Sequence, residues 1–328
     1  MRGLGGFFST AKPLHRIGVA IILAAGFTLT PTTLPAQGQL LDPVTDCFEG
    51  SMEPMLDVLA CDMAIEHWDL EAHSRATLLV RRGRALARTG RPAEAFADFD
   101  AALALNPISA AAHHERGLLH HDAGDFERAK AEFDAAISLS PNIAEIRRDR
   151  GTTLLFLGDI AAAAGDLKRA AELNPQDRNS LTMLGLAHYV QGDFETAAAL
   201  FERDAVARYA YRFMPLWRYL SAARQGVDLG CVLADERAEL PAGEWPADLL
   251  DLFLGASSEV AVLARIDTMP ATLRPTRLAE AHLFMAERAR LARDKKKARR
   301  HLDAALGARA ERSIEQALAR AIRAHHRD

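Results

Sequence analysis

An all-α fold of stacked helical hairpins, an α-α superhelix or solenoid, is predicted by three observations on this 328-residue sequence. The same residue types return at a 34-residue offset, and periods of this size mark repeat architectures. Hydrophobic residues make up 49% but aromatics only 6%, with Ala and Leu throughout. That balance suits close-packed helices better than sheets, which are enriched in β-branched and aromatic residues. Glycine and proline also fall at fixed places in each period, where a hairpin needs its turns.

Residues 1–36 read as an export signal and are set apart from the fold. Arg2, Lys12 and Arg16 give a positive start, Ile17 to Leu29 is an apolar run, and Leu34-Pro35-Ala36 offers a small-residue cleavage site. The run has 13 residues, short of the roughly 20 that a membrane-spanning helix needs. Export to a periplasm is therefore expected, with the chain soluble after cleavage rather than anchored. No cysteine follows the apolar run as a lipid-attachment signal would require. Residues 37–75 are expected to cap the array, with a helix from Asp57 to Glu66. Cys47 and Cys61 lie here, and in an oxidising compartment such a pair is expected to bridge; Cys231 is left over and is expected to be a buried thiol.

From residue 76 to 211 four units align. Glycine stands at Gly83, Gly117, Gly151 and Gly185, and again at Gly90, Gly124, Gly158 and Gly192. Alanine follows at Ala95, Ala129, Ala163 and Ala197, and a bulky residue at Phe99, Phe133, Leu167 and Phe201. Pro107, Pro141 and Pro175 close the units. The first glycine and the alanines let two antiparallel helices approach while the Phe or Leu fills the groove between them. The second glycine can take the left-handed conformation that ends a helix, and Asp125, Asp159 and Asp193 can cap the next. Proline disfavours helix at the residue before it.

These columns resemble the tetratricopeptide repeat family, with units at 76–109, 110–143, 144–177 and 178–211. Residues 212–276 lose the pattern and read as irregular helices interrupted by Pro215, Pro241, Pro246, Pro270 and Pro275. A degenerate repeat and a basic capping helix fill 277–328, with Ala286, Ala298, Leu302 and Ala305 at repeat offsets. Ala286 and Arg293 replace both glycines there, so a less regular turn is expected. Regular repeats, then Leu216-Trp217-Arg218-Tyr219-Leu220, then Trp245 to Gly255, then a late repeat, is an order similar to that of the NlpI family of bacterial envelope lipoproteins. That resemblance implies a scaffold for peptidoglycan hydrolases and a periplasmic protease, and a homodimer.

The whole chain has 40 basic and 44 acidic residues, a net charge of −4, and loss of the three leader cations would take it to −7. An acidic surface argues against nucleic acid. From Glu287 to Asp328 the balance reverses, with 13 Arg or Lys against 6 acidic residues. The run Arg293 to Arg300 reads as a solvated helix face, or as a contact for an acidic partner or an anionic envelope surface.

No nucleophile elbow, phosphate loop or zinc-protease helix is present, and no catalytic residue, metal ligand or cofactor is expected. His113, His114, His120 and His121 are spaced six to eight apart between pairs, too far along a helix to chelate together, and read as structural or partner-contacting. A histidine-dependent metal-binding protein is the alternative. The resemblance places a partner groove along the first helix of each unit: Arg81, Arg84, Arg88, His114, Glu115, Leu118, His121, Arg148, Asp149, Leu155, Met183 and Tyr189, with Thr152, Thr182 and Leu186 beside them. Its first half is cationic and its second apolar, so a protein partner with acidic and apolar ends would fit. Chaperone-tail repeats carry groove asparagines where this chain has Arg84, Leu118, Thr152 and Leu186. An adaptor is the expectation, with a repeat protein of envelope assembly or export as the alternative.

Overall fold

Each 34-residue period becomes a helix, a tight turn and an antiparallel helix. The computed structural model describes residues 43–50, 53–204, 212–241, 243–310 and 312–325. The leader at 1–36 and the end of the fourth unit at 205–211 lie outside them. Among the described residues there are seventeen helices and no strand, so the chain is all-α.

The chain divides into two compact units, residues up to Glu115 and residues from Arg116. The first holds α1 (Pro43–Glu49), α2 (Pro54–His67), α3 (Ala72–Arg88), α4 (Pro92–Leu105) and the start of α5 (Ala110–Ala123). Cys47 on α1 and Cys61 on α2 form a disulfide with Cα atoms 4.8 Å apart, buried with Ala64 and Leu78. Helix α2 covers the stretch Asp57 to Glu66 where a helix was expected, and α3 begins at Ala72, ahead of the expected start at residue 76.

The second unit continues α5 and adds α6 (Phe126–Leu139), α7 (Ala144–Leu157), α8 (Ile160–Leu173), α9 (Arg178–Gln191) and α10 (Phe194–Asp204). Then come α11 (Met214–Arg224), α12 (Gly230–Ala238), α13 (Ala247–Phe253) and α14 (Glu259–Asp267), followed by α15 (Arg274–Leu291), α16 (Lys295–Gly307) and α17 (Ile314–His325). Its core runs from Leu154 to Ile322 and centres on Tyr189, Trp217 and Phe284, whose rings lie 4.9–5.1 Å apart in successive pairs.

The hairpins close because the first glycine of each pair faces the bulky residue sixteen positions on. A Cβ at Gly83, Gly117, Gly151 or Gly185 would stand 2.5–2.7 Å from Phe99, Phe133, Leu167 or Phe201. The turn is equally uniform: the residue after the second glycine donates its N–H to the carbonyl five residues back, as in Asp159 to Leu154 and Asp193 to His188. Asp125, Asp159 and Asp193 accept from Arg128, Ala162 and Thr196 N–H groups and cap the second helices.

Two expectations are corrected here. The turn of the late repeat is regular: Arg293 takes φ +60° where the other repeats have glycine, Asp294 N–H donates to Ala289 O, and Asp294 caps α16. Residues 212–276 form the expected irregular helical segment, with helices of 11, 9, 7 and 9 residues. Helices α11 and α12 are joined at Gly226, and α13 and α14 at Gly255, by the same five-back hydrogen bond from Val227 and Ala256. Gly226 stands one 34-residue period after Gly192, a signal the proline pattern obscured. Cys231, expected to be buried, is exposed on α12, because that short helix buries only Leu233.

An arginine column also runs through the repeats at the same period: Arg82, Arg116, Arg150 and, two periods on, Arg218. In the first unit Arg82 joins Asp98 on α4 at 2.6 and 2.8 Å to Asp62 on α2 at 2.7 Å. In the second, Arg150 joins Asp166 on α8 to Asp134 on α6, each at 2.6 Å, and Arg218 joins Glu202 on α10 to Glu236 on α12. Each of these three arginines thus ties the second helix of its own hairpin to a carboxylate of the preceding helical segment. At the skipped position Leu184 sits in the core instead.

Gly185→Ala is expected to lower stability by about 1–3 kcal/mol, because the Phe201 ring at 2.5 Å must shift. Gly158→Ala meets no atom within 4 Å but sits at φ +82°, and should lose about 1 kcal/mol. Urea unfolding of both variants checks the order; a more damaging Gly158→Ala would mean that the helix contact is not what the first glycine serves.

Candidate protein-binding site

In the first unit, Arg81, Arg84 and Arg88 lie along one face of α3, and Arg84 and Arg88 are exposed. Arg84 is half committed, donating to Glu115 from Nε at 2.7 Å, while Arg88 stands 3.9 Å from Asp57. Arg81 has its pKa lowered by burial and then by the charge of Arg84. His114 and Glu115 are buried, at 6% and 8% exposure, so their expected place on an open groove is corrected.

Sequence reasoning missed an exposed apolar stripe in this unit. Met55, Leu56, Leu59 and Met63 on α2 are 57%, 57%, 56% and 43% exposed, while Val58, Cys61 and Ala64 on the same helix are buried. The helix carries apolar side chains on more than one face, and Val58, Cys61 and Ala64 are the ones buried. The signal was in the sequence: apolar residues at 55, 59 and 63 add a second stripe to the one formed by 58, 61 and 64.

In the second unit the apolar half of the expected groove is already filled. Helix α17 packs against α7 and α9, the first helices of the third and fourth repeats. Its Leu318, Ala319 and Ile322 share a core with Leu155, Leu186 and Tyr189. Leu155 and Tyr189 are each 1% exposed, Thr182 1% and Leu186 0%, so these are core residues and no partner can reach them while α17 is in place. Arg320 donates to Phe156 O at 3.4 Å and Arg312 to Asp122 O at 2.8 Å, fastening the helix along its length.

The polar residues of this half are committed too. Arg148 binds Asp149 at 3.0 Å and Asp177 at 3.3 Å; burial lowers its pKa, but those two carboxylates outweigh burial and raise it. His121 Nδ1 meets Thr153 Oγ1 at 2.8 Å, and its ring lies 5.2 Å from both Phe126 and Phe156, so burial lowers its pKa against the pull of Asp122 and Asp149. Leu118 packs on the Phe133 cluster and Met183 is half-buried at the core edge.

A buried polar network crosses this core. Glu287, fully buried, accepts from Tyr189 Oη at 2.5 Å, Arg224 at 2.8 Å and Arg290 at 2.6 Å. Burial alone would raise the Glu287 pKa; Arg290 and Arg224 reverse that, and the carboxylate stays ionised. Glu280, also fully buried, accepts from Trp245 Nε1 at 2.6 Å, Arg212 at 2.9 Å and Arg277 at 2.8 Å. On α15 and α16, His282 and His301 meet at Nδ1 to Nδ1, 3.0 Å, with Glu259 3.5 Å from His301 Nε2. Among the described residues no group of three or more His, Cys, Asp or Glu is placed to hold a metal ion. No helix of the described residues is long and apolar enough to cross a membrane.

This is a helical-repeat protein with an exposed apolar cap helix in one unit and a self-filled inner face in the other. Residues 80–142 and 148–212 match the tetratricopeptide repeat model. No curated protein matches the sequence. Among solved structures, the chain is similar to the TPR protein YrrB, which has an unusual peptide-binding site, at 20% identity and TM-score 0.50, covering 61% of this chain and 100% of that one. A tetratricopeptide repeat protein of Parabacteroides merdae matches at 14% identity and TM-score 0.48, covering 85% and 98%. A mutant O-GlcNAc transferase of Thermobaculum terrenum matches at 21% identity and TM-score 0.40, and the chain spans only 27% of its length.

Leu318→Glu should place a carboxylate in the core and lower stability by about 3 kcal/mol or more, read as a fall in the urea midpoint. A near-neutral result would mean that α17 does not hold its place on α7 and α9. The His282 and His301 pKa values are lowered chiefly by burial, with Glu259 opposing in both cases and Lys297 and Arg300 assisting at His301. Groups with lowered histidine pKa stabilise the fold above the ordinary value of about 6.5, and that stability drains as pH falls below it. His282→Leu should therefore flatten the loss of stability between about pH 6.5 and 5; an unchanged slope would show that the pair does not titrate on unfolding.

Proposed function

We propose that this chain is an exported protein-binding adaptor of the bacterial cell envelope, acting in the periplasm to bring a protease or peptidoglycan hydrolases to their partners. The observation that carries the protein-binding part is the apolar stripe Met55, Leu56, Leu59 and Met63, three of whose side chains are more than half exposed on a helix tied down by a disulfide. Exposed apolar patches of this kind mark interaction surfaces, and Arg84 and Arg88 give the same unit exposed cations for an acidic flank. The envelope part is supported by the leader-like residues 1–36 and by the Cys47–Cys61 bridge, which persists in oxidising compartments. The hydrolase or protease part rests on the resemblance to the NlpI family. The mechanism is effective concentration: the adaptor binds two proteins and raises the frequency with which they meet.

Affinity capture from the envelope fraction tests this reading, comparing wild type with Leu56→Ser/Leu59→Ser and with Arg84→Glu/Arg88→Glu. All four positions are exposed, so the variants should fold, which circular dichroism checks. Wild type should capture a protease or cell-wall hydrolase, and the serine pair should reduce capture about tenfold or more. Capture of assembly or export components alone would replace the hydrolase reading with that one. Equal capture by all forms would sink the α2 surface, and no envelope protein captured would sink the adaptor.

A further inference from the structure

Near the C-terminus of the second unit lies an open trough of about 800 Å3 between α16 and α17, with the ends of α11 and α15 at its side. Its apolar lining includes Leu302 and the half-buried Leu306, Ile322 being fully buried, and seven cationic side chains surround it with no carboxylate among the lining residues. Four of the seven have work elsewhere: Arg224 and Arg290 hold Glu287, Arg323 pairs with Asp303, and Arg320 reaches the Phe156 carbonyl. Arg293, Lys295 and Arg299 are exposed and have no carboxylate partner among the described residues. Elsewhere in the chain, arginines on helix faces are mostly committed to carboxylates, as Arg82, Arg150, Arg218 and Arg237 show.

The backbone adds a separate observation. At the turn before the second helix, four repeats use glycine at φ +77° to +84°, and the late repeat holds Arg293 there at φ +60°. A non-glycine residue in that region costs roughly 1 kcal/mol, so the position gives up stability that the other hairpins keep. Its side chain lines the trough. Positions where a local rule is broken without a compensating contact are those where function is expected.

We infer that this trough binds an acidic, amphipathic peptide segment of a partner protein, with carboxylates on Arg293, Lys295 and Arg299 and apolar side chains against Leu302 and Leu306. The inference deepens the adaptor reading and rests on it, adding a second surface to that of α2. Charge complementarity selects the occupant: the chain as a whole is acidic, at −4, whereas this hollow is lined by seven cations and no carboxylate. A flat anionic bilayer would meet the rim but not the recessed floor. Single-stranded nucleic acid would need stacking platforms, and no aromatic side chain lines the trough.

The test is fluorescence polarisation on the full chain with three probes: a labelled short peptide alternating Glu and Leu at helical spacing, polyglutamate of the same length, and phosphatidylglycerol vesicles. The Glu/Leu peptide should bind best, and more weakly as salt rises. Arg293→Glu/Lys295→Glu/Arg299→Glu should abolish binding. Arg293→Gly, which restores the glycine of the other repeats and so keeps the fold, should weaken it about tenfold. Absence of peptide binding to wild type, or unchanged binding in the triple variant, would overturn the site. Equal binding of polyglutamate or of the vesicles would overturn the amphipathic peptide in favour of a general anion surface. The adaptor and the site fail separately: envelope partners captured equally by wild type and the triple variant would sink the trough alone, while peptide binding without any captured envelope protein would sink the adaptor alone.

Discussion

The hairpins depend on one contact, a backbone glycine against a phenylalanine or leucine sixteen residues later. Without a Cβ on the first helix, the ring of Phe99, Phe133 or Phe201, or the side chain of Leu167, can lie directly on its backbone. The two helices then close to a distance that excludes water from Ala95, Ala129, Ala163 and Ala197, all fully buried. Close approach also sets the geometry of everything placed on these helices. Arg82 and Arg150 reach carboxylates before and after them because the spacing of the helices is fixed, and the capping aspartates fall at the start of each second helix because the turn leaves no slack.

A second constraint appears in the larger unit. Two glutamates, Glu280 and Glu287, are fully buried on one helix, α15, and each is surrounded by arginines and one aromatic donor. Burial of an ionised carboxylate is unfavourable unless its hydrogen bonds are met, and here they are met by α9, α11, α15 itself and the segment before α13. Such a network contributes little net stability compared with apolar packing, yet it discriminates strongly between registers. A shift of α15 by one residue would leave a buried charge without its partners. The network fixes α15 relative to α9 and α11, and with it the wall of the cationic trough.

The inner face of the repeats and the chain's own last helix are linked by the same logic. Helix α17 packs on α7 and α9 as well as on α15 and α16, and removes Leu155 and Tyr189 from any partner's reach. The faces left uncovered are the outer stripe of α2 in the first unit and the hollow between α16 and α17 in the second. Exposed apolar side chains occur at the first, and uncommitted cations at the second.

The sequence by itself determined the hairpins. The glycine, alanine, bulky and proline columns dictate helix, turn and helix because each residue type acts on its own backbone or on a neighbour at fixed separation. The Cys47–Cys61 pairing was expected from the oxidising compartment, Gly226 and the arginine column at 82, 116, 150 and 218 were within reach of the same periodicity, and Arg293 as a turn residue was visible at its place in the register. Only the tertiary structure decided which faces stay open. Whether Tyr189 lines a groove or lies in the core depends on where α17 returns, over a hundred residues later in sequence, and no local propensity encodes that distance. Whether the basic run at 293–299 is a solvated face or one wall of a hollow likewise depends on α17 standing opposite it. Burial is a property of pairs of helices brought together by the whole fold, and a repeat pattern specifies each helix's faces without saying which of them will be covered.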